Sequence, residues 1–282
     1  MNVFIIGVGL IGGSLAIDIK AAFDEVCIYG IDQNEQHLNK ALELGVIDHK
    51  ASLKESKNAD IVIIAIPVDA TVRLISEVLD IVPDDCLVFD VGSTKQKLCE
   101  AVSTHSKRRN YLAAHPIAGT EFSGPEAAVA NLYRGKTNII CEVEKTAFKL
   151  QERGMEVFSR LGMRIRYMDA ISHDKHIAYV SHLSHISSFM LGKTVIEKEK
   201  NERDIFDMAG SGFASTVRLA KSSPAMWTPI FMHNKENVIE TLQEYIANLT
   251  QFKELIEKDN FKKVYKEMEN TNHIKSILKG IS

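Results

Sequence analysis

Two hydrophobic rhythms alternate along the first part of the chain, and only one of them continues to its end. Short apolar runs occupy residues 3–6, 26–31, 61–66, 86–90, 111–114, 137–142 and 164–167. They are nearly continuous in Val, Ile, Leu and Phe, as expected of strands covered on both faces. Between them lie stretches of helical period, among them 34–44, closed by Gly45, and 146–161, closed by Gly162. A glycine after the last turn takes left-handed backbone at low cost and ends a helix. This alternation predicts an α/β fold with a mainly parallel, doubly wound sheet over residues 1–168, a Rossmann domain.

After about Asp169 the strand signals stop. Apolar positions then recur at helical spacing at Ile177, Val180, Leu183 and Ile186, and again at Ile239, Leu242, Ile246 and Leu249. Gly192, the Gly210-Ser211-Gly212 turn and Ser222-Ser223-Pro224 read as breaks between helices. Residues 169–282 are therefore expected to form an all-α domain, whose Lys- and Glu-rich end is a solvated helix packed on one side. Its wide apolar stripe suits packing against a second copy, so a homodimer is expected through this half.

Composition narrows the function. The 282 residues are 45% hydrophobic and 25% charged, ordinary for globular domains. With 34 basic and 37 acidic residues the net charge is -3, and no basic surplus points to nucleic acid or an anionic membrane. No apolar run reaches the roughly 20 residues of a membrane helix. Met1-Asn2-Val3-Phe4 enters a strand directly, without the basic leader of a signal peptide. Cys27, Cys86, Cys99 and Cys141 lack the spacing of a disulfide frame or a zinc site. A soluble, cytoplasmic protein without a metal is expected.

The loop Gly7-Val8-Gly9-Leu10-Ile11-Gly12 follows the first strand and opens a helix. In such a loop the first glycine permits a tight turn, the second lets backbone approach a pyrophosphate, and the third lets helix and strand pack closely. The free N–H groups of the helix start then face the phosphates. Asp32 lies 20 residues after Gly12, at the end of the second strand. A carboxylate there accepts from ribose hydroxyls and repels a 2′-phosphate. Gln33, Asn34 and Glu35 follow, with no arginine for such a phosphate, so NAD is predicted rather than NADP. Pro67 and Ser93 follow the third and fourth strands, and His115 ends the fifth, all at carboxyl ends that line the ligand crevice.

Oxidising an alcohol requires a base for the hydroxyl proton, and neutral histidine is the commonest choice. His115 stands in a polar turn beside the expected nicotinamide position. His182 and His185 share a helix face at i and i+3 and read either as buried, hydrogen-bonded histidines or as a metal pair lacking a third ligand. His173 and His176 read as surface residues near the domain junction.

The glycine loop, Asp90-Val91-Gly92-Ser93-Thr94-Lys95, His115-Pro116-Ile117-Ala118-Gly119-Thr120-Glu121, Ser181-His182-Leu183-Ser184-His185 and Phe213-Ala214-Ser215-Thr216-Val217-Arg218 with Trp227 occur in order along the chain. Together they resemble the prephenate dehydrogenase family of tyrosine biosynthesis. The resemblance implies a Rossmann domain followed by a helical dimerisation domain. It implies NAD-dependent oxidative decarboxylation of prephenate, with His115 drawing the hydroxyl proton and Ser93 orienting the hydroxyl or His115. It implies that Arg218 binds a substrate carboxylate, for which its planar fork is suited. Thr120, Glu121, Ser181, His182, His185 and Trp227 match pocket positions. Ser211 stands where the family has a third glycine, a bulkier residue expected to alter substrate fit or tyrosine sensitivity. Ser184 stands where the family has a proline, which is expected to affect only how that helix starts. At this length no appended regulatory domain is expected, so feedback by tyrosine, if present, is expected to act at the active site.

Arogenate dehydrogenase and a dual cyclohexadienyl dehydrogenase remain open alternatives, since no single residue separates the keto side chain from the amino one. A β-hydroxyacid dehydrogenase or pyrroline carboxylate reductase would rely on a lysine of the helical half or lack the His115 motif. A nicotinamide-binding sensor without catalysis would leave His115 and Arg218 unused.

Overall fold

In the computed structural model, which describes residues 1–202 and 204–279, one eight-stranded sheet organises the first part of the chain. Its strands are β1 (Asn2–Ile6), β2 (Cys27–Ile31), β3 (His49–Lys50), β4 (Ile61–Ile64), β5 (Leu87–Asp90), β6 (Tyr111–Pro116), β7 (Thr137–Cys141) and β8 (Arg164–Met168). They lie in the order β3-β2-β1-β4-β5-β6-β7-β8, and every pairing is parallel except β6 with β7. The seven predicted strands are all present, with ends shifted by two residues at most. β3 was invisible to the hydrophobic pattern because it is two exposed polar residues at the sheet edge.

Period-2 alternation splits each central strand between two cores. Val3, Ile5, Ile61, Ile63, Leu87, Phe89, Leu112 and Ala114 face one side, with Leu15 and Ile19 of α1 (Leu10–Ala22). Phe4, Ile6, Val62, Ile64, Val88, Tyr111 and Ala113 face the other. There they meet Ile75, Val78 and Leu79 of α3 (Val68–Ile81) and Leu98 and Cys99 of α4 (Gln96–Ala101). The remaining helices of this region are α2 (Glu35–Glu43), capped by the Asn34 side chain on Gln36 N–H, and α5 (Phe148–Arg160) on the first face. From β1 the chain moves outward to β2 and β3, then returns to place β4 against the other side of β1. That reversal opens a crevice at the carboxyl ends of β1 and β4.

Beyond β8 the described chain is helical: α6 (Ala170–Ile177), α7 (Leu183–Glu202), α8 (Ser211–Thr216), α9 (Pro224–His233), α10 (Lys235–Glu257), α11 (Phe261–Thr271) and α12 (Ile274–Leu278). A π turn, Ala178–His182, joins α6 to α7 without a break, its Leu183 N–H donating to Ala178 O. Ser184 therefore lies in a running helix, not at a helix start as the sequence suggested. Gly192, predicted as a break, lies inside α7. A Cβ added there would come to 3.9 Å from the Ala220 Cβ, so this glycine marks close packing on the 218–221 turn. The Gly210-Ser211-Gly212 segment starts α8, with Gly210 at its N-cap.

The chain gathers into two compact units, residues 1–235 and the residues from 236 on. In the second unit Ile239, Ile246, Leu249 and Ile256 lie 44–52% exposed along α10. A row of exposed large aliphatics this long is uncommon on a surface that stays in water. No helix among the described residues is long and apolar enough to cross a membrane.

Candidate active site

The glycine loop closes tightly between β1 and α1. Gly7 has φ +94°, and a Cβ on it would meet Ala65 O at 2.4 Å. A Cβ on Gly12 would come within 1.9 Å of Gly7 O, so the helix can approach the strand only without one. At Gly9 an added Cβ would find nothing nearer than 3.9 Å, which leaves the backbone open to a ligand. The α1 ladder begins with Gly13 N–H on Gly9 O, so the N–H groups of Leu10, Ile11 and Gly12 precede the first helical acceptor. Asp32 reaches this loop from β2: its carboxylate accepts from Val8 N–H at 3.2 Å and Asn34 N–H at 2.9 Å. Val8 is fully buried and Leu10 nearly so, and the Val8 side chain joins the core beside Gly30 of β2. These residues form a cradle that fits a dinucleotide. Pro67 caps α3 beside it, exposed, with its carbonyl taken by Thr71 N–H at 2.9 Å.

The stretch between β6 and β7 lies over α1. Val129 N–H donates to Ser14 Oγ, Asn131 N–H to Asp18, and Tyr133 OH to Ile11 O. Burial raises the Asp18 carboxyl above its ordinary range, partly offset by the Asn131 bond.

His115 closes β6 and is buried, but it does not stand alone. Its Nδ1 lies 2.8 Å from His173 Nε2, and His173 Nδ1 lies 2.7 Å from Asp174 Oδ1. Asp174 also accepts from the N–H groups of Lys95 at 2.7 Å and Gln96 at 3.0 Å, holding the start of α4. A carboxylate only accepts, so His173 Nδ1 carries a proton, and in the neutral imidazole its Nε2 is then an acceptor. His115 must then donate from Nδ1, which leaves its Nε2 lone pair free. Burial first, then the neighbouring His173, Lys95 and His182, pushes His115 well below the ordinary histidine value of 6.5. It is a neutral acceptor at pH 7. His173 is 1% exposed, correcting its reading as a surface residue; His176 is exposed as expected.

Behind His115 lies a buried ion pair. Lys95 Nζ donates to Asp90 Oδ2 and, at 2.7 Å, to Ala114 O. Asp90 also receives Tyr111 OH at 2.6 Å and Gly92 N–H at 2.8 Å. The pair locks the turn holding Ser93 against the end of β6.

The helical region supplies the other wall. Asn234 Nδ2 donates to Asp174 O at 2.6 Å and faces His182 Nδ1 at 3.2 Å, so His182 presents an Nε2–H. Burial pushes His182 down to about 4. Its Nε2 and the Trp227 Nε1 are buried with no partner, two N–H donors awaiting an acceptor. His185 stacks on Trp227 with ring centroids 3.5 Å apart, and His182 meets the same indole edge-on at 5.8 Å. His185 Nδ1 bonds Ser181 O at 2.9 Å, leaving Nε2 outward. Arg218, half-exposed, lies close enough to lower His185 further and pairs with Glu121 at 3.4 Å. Thr120 Oγ1 accepts from Phe122 N–H at 3.3 Å. His173, Asp174 and Asn234 escaped the sequence reading; the one available signal was that His173 and Asp174 adjoin the helix carrying His182. No group of three or more His, Cys, Asp or Glu among the described residues could hold a metal ion.

Two family profiles match in tandem: prephenate dehydrogenase, nucleotide-binding domain, over residues 15–167, and prephenate dehydrogenase, dimerization domain, over residues 169–270. A prephenate dehydrogenase of Bacillus subtilis is 31% identical over 269 residues, covering 94% of this chain and 72% of the relative. A cyclohexadienyl dehydrogenase of Zymomonas mobilis is 28% identical over 258 residues, covering 90% and 88%. Among solved structures, prephenate dehydrogenase from A. aeolicus in complex with hydroxyphenyl propionate and NAD+ superposes with TM-score 0.89 at 34% identity, covering 99% of this chain and 98% of the other. Synechocystis arogenate dehydrogenase superposes with TM-score 0.78 at 25% identity, covering 98% and 99%.

Proposed function

The chain belongs to the prephenate dehydrogenase family, and on that premise we propose that it oxidises and decarboxylates prephenate to 4-hydroxyphenylpyruvate with NAD, in tyrosine biosynthesis. The observation that carries this reading is a buried, neutral histidine whose one free nitrogen is an acceptor, set among unpartnered donors and an arginine. Prephenate bears a C4 hydroxyl, and at C1 a carboxylate and a pyruvyl group. His115 Nε2 accepts the hydroxyl proton as the C4–H bond breaks, hydride leaves, and C4 becomes a carbonyl carbon. The C1–carboxylate bond breaks, CO2 leaves, and its electron pair completes the aromatic ring while the C4 oxygen regains a proton to become the phenol hydroxyl. The Gly7–Gly12 backbone and Asp32 would hold NAD, which would supply the acceptor for that hydride. Ser93 orients the hydroxyl from the turn after β5. Arg218 binds a carboxylate, releasing Glu121, while Thr120, Ser181, His182, His185 and Trp227 surround the ring and side chain. Because aromatisation makes the step downhill, positioning is the protein's main contribution.

Residues 169–282 serve as the substrate and dimerisation half, with 1–168 as the dinucleotide half. The exposed aliphatic row of α10 and the matched dimerization profile support a homodimer. Four unpaired thiols suit a reducing cytoplasm.

The direct test is NADH formation at 340 nm with release of CO2, using prephenate and arogenate side by side with both cofactors. No signal from any combination overturns the proposal; a signal from arogenate alone moves the substrate to the amino side chain. Arg218→Ala should raise KM by about 10–100-fold, the worth of a charged hydrogen bond, with kcat nearly unchanged. A pure kcat loss would contradict its role. Asp32→Ala should narrow the preference for NAD by admitting NADP, read as the ratio of kcat/KM values; an unchanged ratio would remove Asp32 from cofactor choice.

A further inference from the structure

The mechanism above uses one nitrogen of His115, whereas the fold spends two buried ionisable residues on the other. His173 and Asp174 are each 1% exposed and sit midway along α6, outside the Rossmann sheet, where they bond His115 and the N–H groups of Lys95 and Gln96. We propose that His173 and Asp174 are positioning residues that force His115 into the Nδ1–H tautomer, so that the nitrogen facing the substrate hydroxyl is always an acceptor. The inference rests on the reading of His115 as the proton acceptor.

With a neutral imidazole at His173, the chain of donors has a single arrangement. Asp174 Oδ1 already accepts from Lys95 N–H and can only accept again, which fixes the proton on His173 Nδ1. His173 Nε2 is then a lone pair 2.8 Å from His115 Nδ1. The opposite tautomer of His115 would set two lone pairs against each other in a buried site, at the cost of an unmade hydrogen bond. It would also present an N–H to a hydroxyl whose proton must leave. When His115 takes that proton, the new charge lies one imidazole away from the Asp174 carboxylate, which stabilises it without contact with solvent. The same logic governs carboxylate-oriented histidines elsewhere: an intact geometry with the wrong tautomer is nearly inactive. Asn234 bonds the Asp174 carbonyl and faces His182, so the relay and the opposite wall move as one piece.

Two variants separate tautomer control from mere packing. Gln at position 173 places an amide oxygen where Nε2 stood and keeps an acceptor for His115; Leu fills the space and offers none. His173→Leu should lower kcat by about 10²–10³-fold, and His173→Gln should stay within about tenfold of the parent. KM should change little in either. A purely structural role predicts that both fail together, or that KM and thermal stability absorb the loss. Independently of any substrate, 15N NMR of imidazole-labelled protein should show His115 protonated at Nδ1 in the parent and shifted toward Nε2–H in His173→Leu. Finding His115 protonated at Nε2 in the parent overturns the proposal even if no variant folds. Finding it at Nδ1 while prephenate is not turned over leaves the tautomer assignment standing and dismisses only the substrate.

Discussion

Replacing His115 by asparagine should lower kcat by about 10²–10⁴-fold, the usual contribution of a positioned general base, while NAD affinity stays close to that of the parent. Asparagine can keep the hydrogen bond to His173 Nε2 through its amide N–H but has no basic nitrogen for the substrate. Stopped-flow turnover together with a cofactor-binding titration separates the two effects. Unchanged turnover would remove His115 from the chemistry, and lost NAD binding would make it part of the cradle. The pH profile adds a second reading of the same group. Since burial and its basic neighbours hold His115 well below 6.5, it remains neutral through pH 6.5 and charges only in more acid solution. The proposed role needs the neutral form, so the acid limb of kcat/KM should fall well below pH 6.5 rather than at it. An anionic substrate beside the imidazole favours its charged form, so the limb of kcat should lie at higher pH than that of kcat/KM.

Lys95→Met should cost about 3–5 kcal/mol of folding stability, because it strands a buried carboxylate. Asp90 and Lys95 are both 0% exposed, and without the ammonium Asp90 keeps only Tyr111 OH and Gly92 N–H. Against a total of about 5–15 kcal/mol for an ordinary domain this is a large fraction. Urea unfolding measures it directly. Pairing the change with Asp90→Leu should recover much of the loss, since an apolar pair of similar volume removes the stranded charge. A single-variant cost below about 1 kcal/mol would mean that water reaches the pair. The loss should carry into activity as well, because Lys95 also holds the carbonyl of Ala114, next to His115.

The parallel core strands were legible because a strand covered on both faces must be apolar at nearly every position, as in Val3–Ile6 and Ile61–Ile64. The cradle was legible because its requirements are steric, and only glycine meets them at positions 7 and 12. The edge strand at His49–Lys50 was not, since two exposed residues carry no hydrophobic signal. Gly192 misled because a glycine that breaks a helix and one that lets two helical segments approach look alike in one dimension. The relay was hidden for a different reason. His115 and His173 are 58 residues apart, and a histidine beside an aspartate and a lysine reads as surface until the fold buries it.

The π turn between α6 and α7 carries a constraint of phase. A π turn is a helix holding one residue more than its neighbours need, and each residue of an α-helix advances the side-chain direction by about 100°. His173 and Asp174 precede the surplus residue, whereas His185 follows it. Excising one residue from 178–182 would give a more regular backbone and a better hydrogen-bonded helix. It would also turn the relay and the Trp227 stack roughly 100° out of step, so that one of them faces away from the crevice. The local irregularity is thus the clockwork that lets a single rod address two targets at once, and smoothing it would be expected to silence the enzyme while making its helix more ideal.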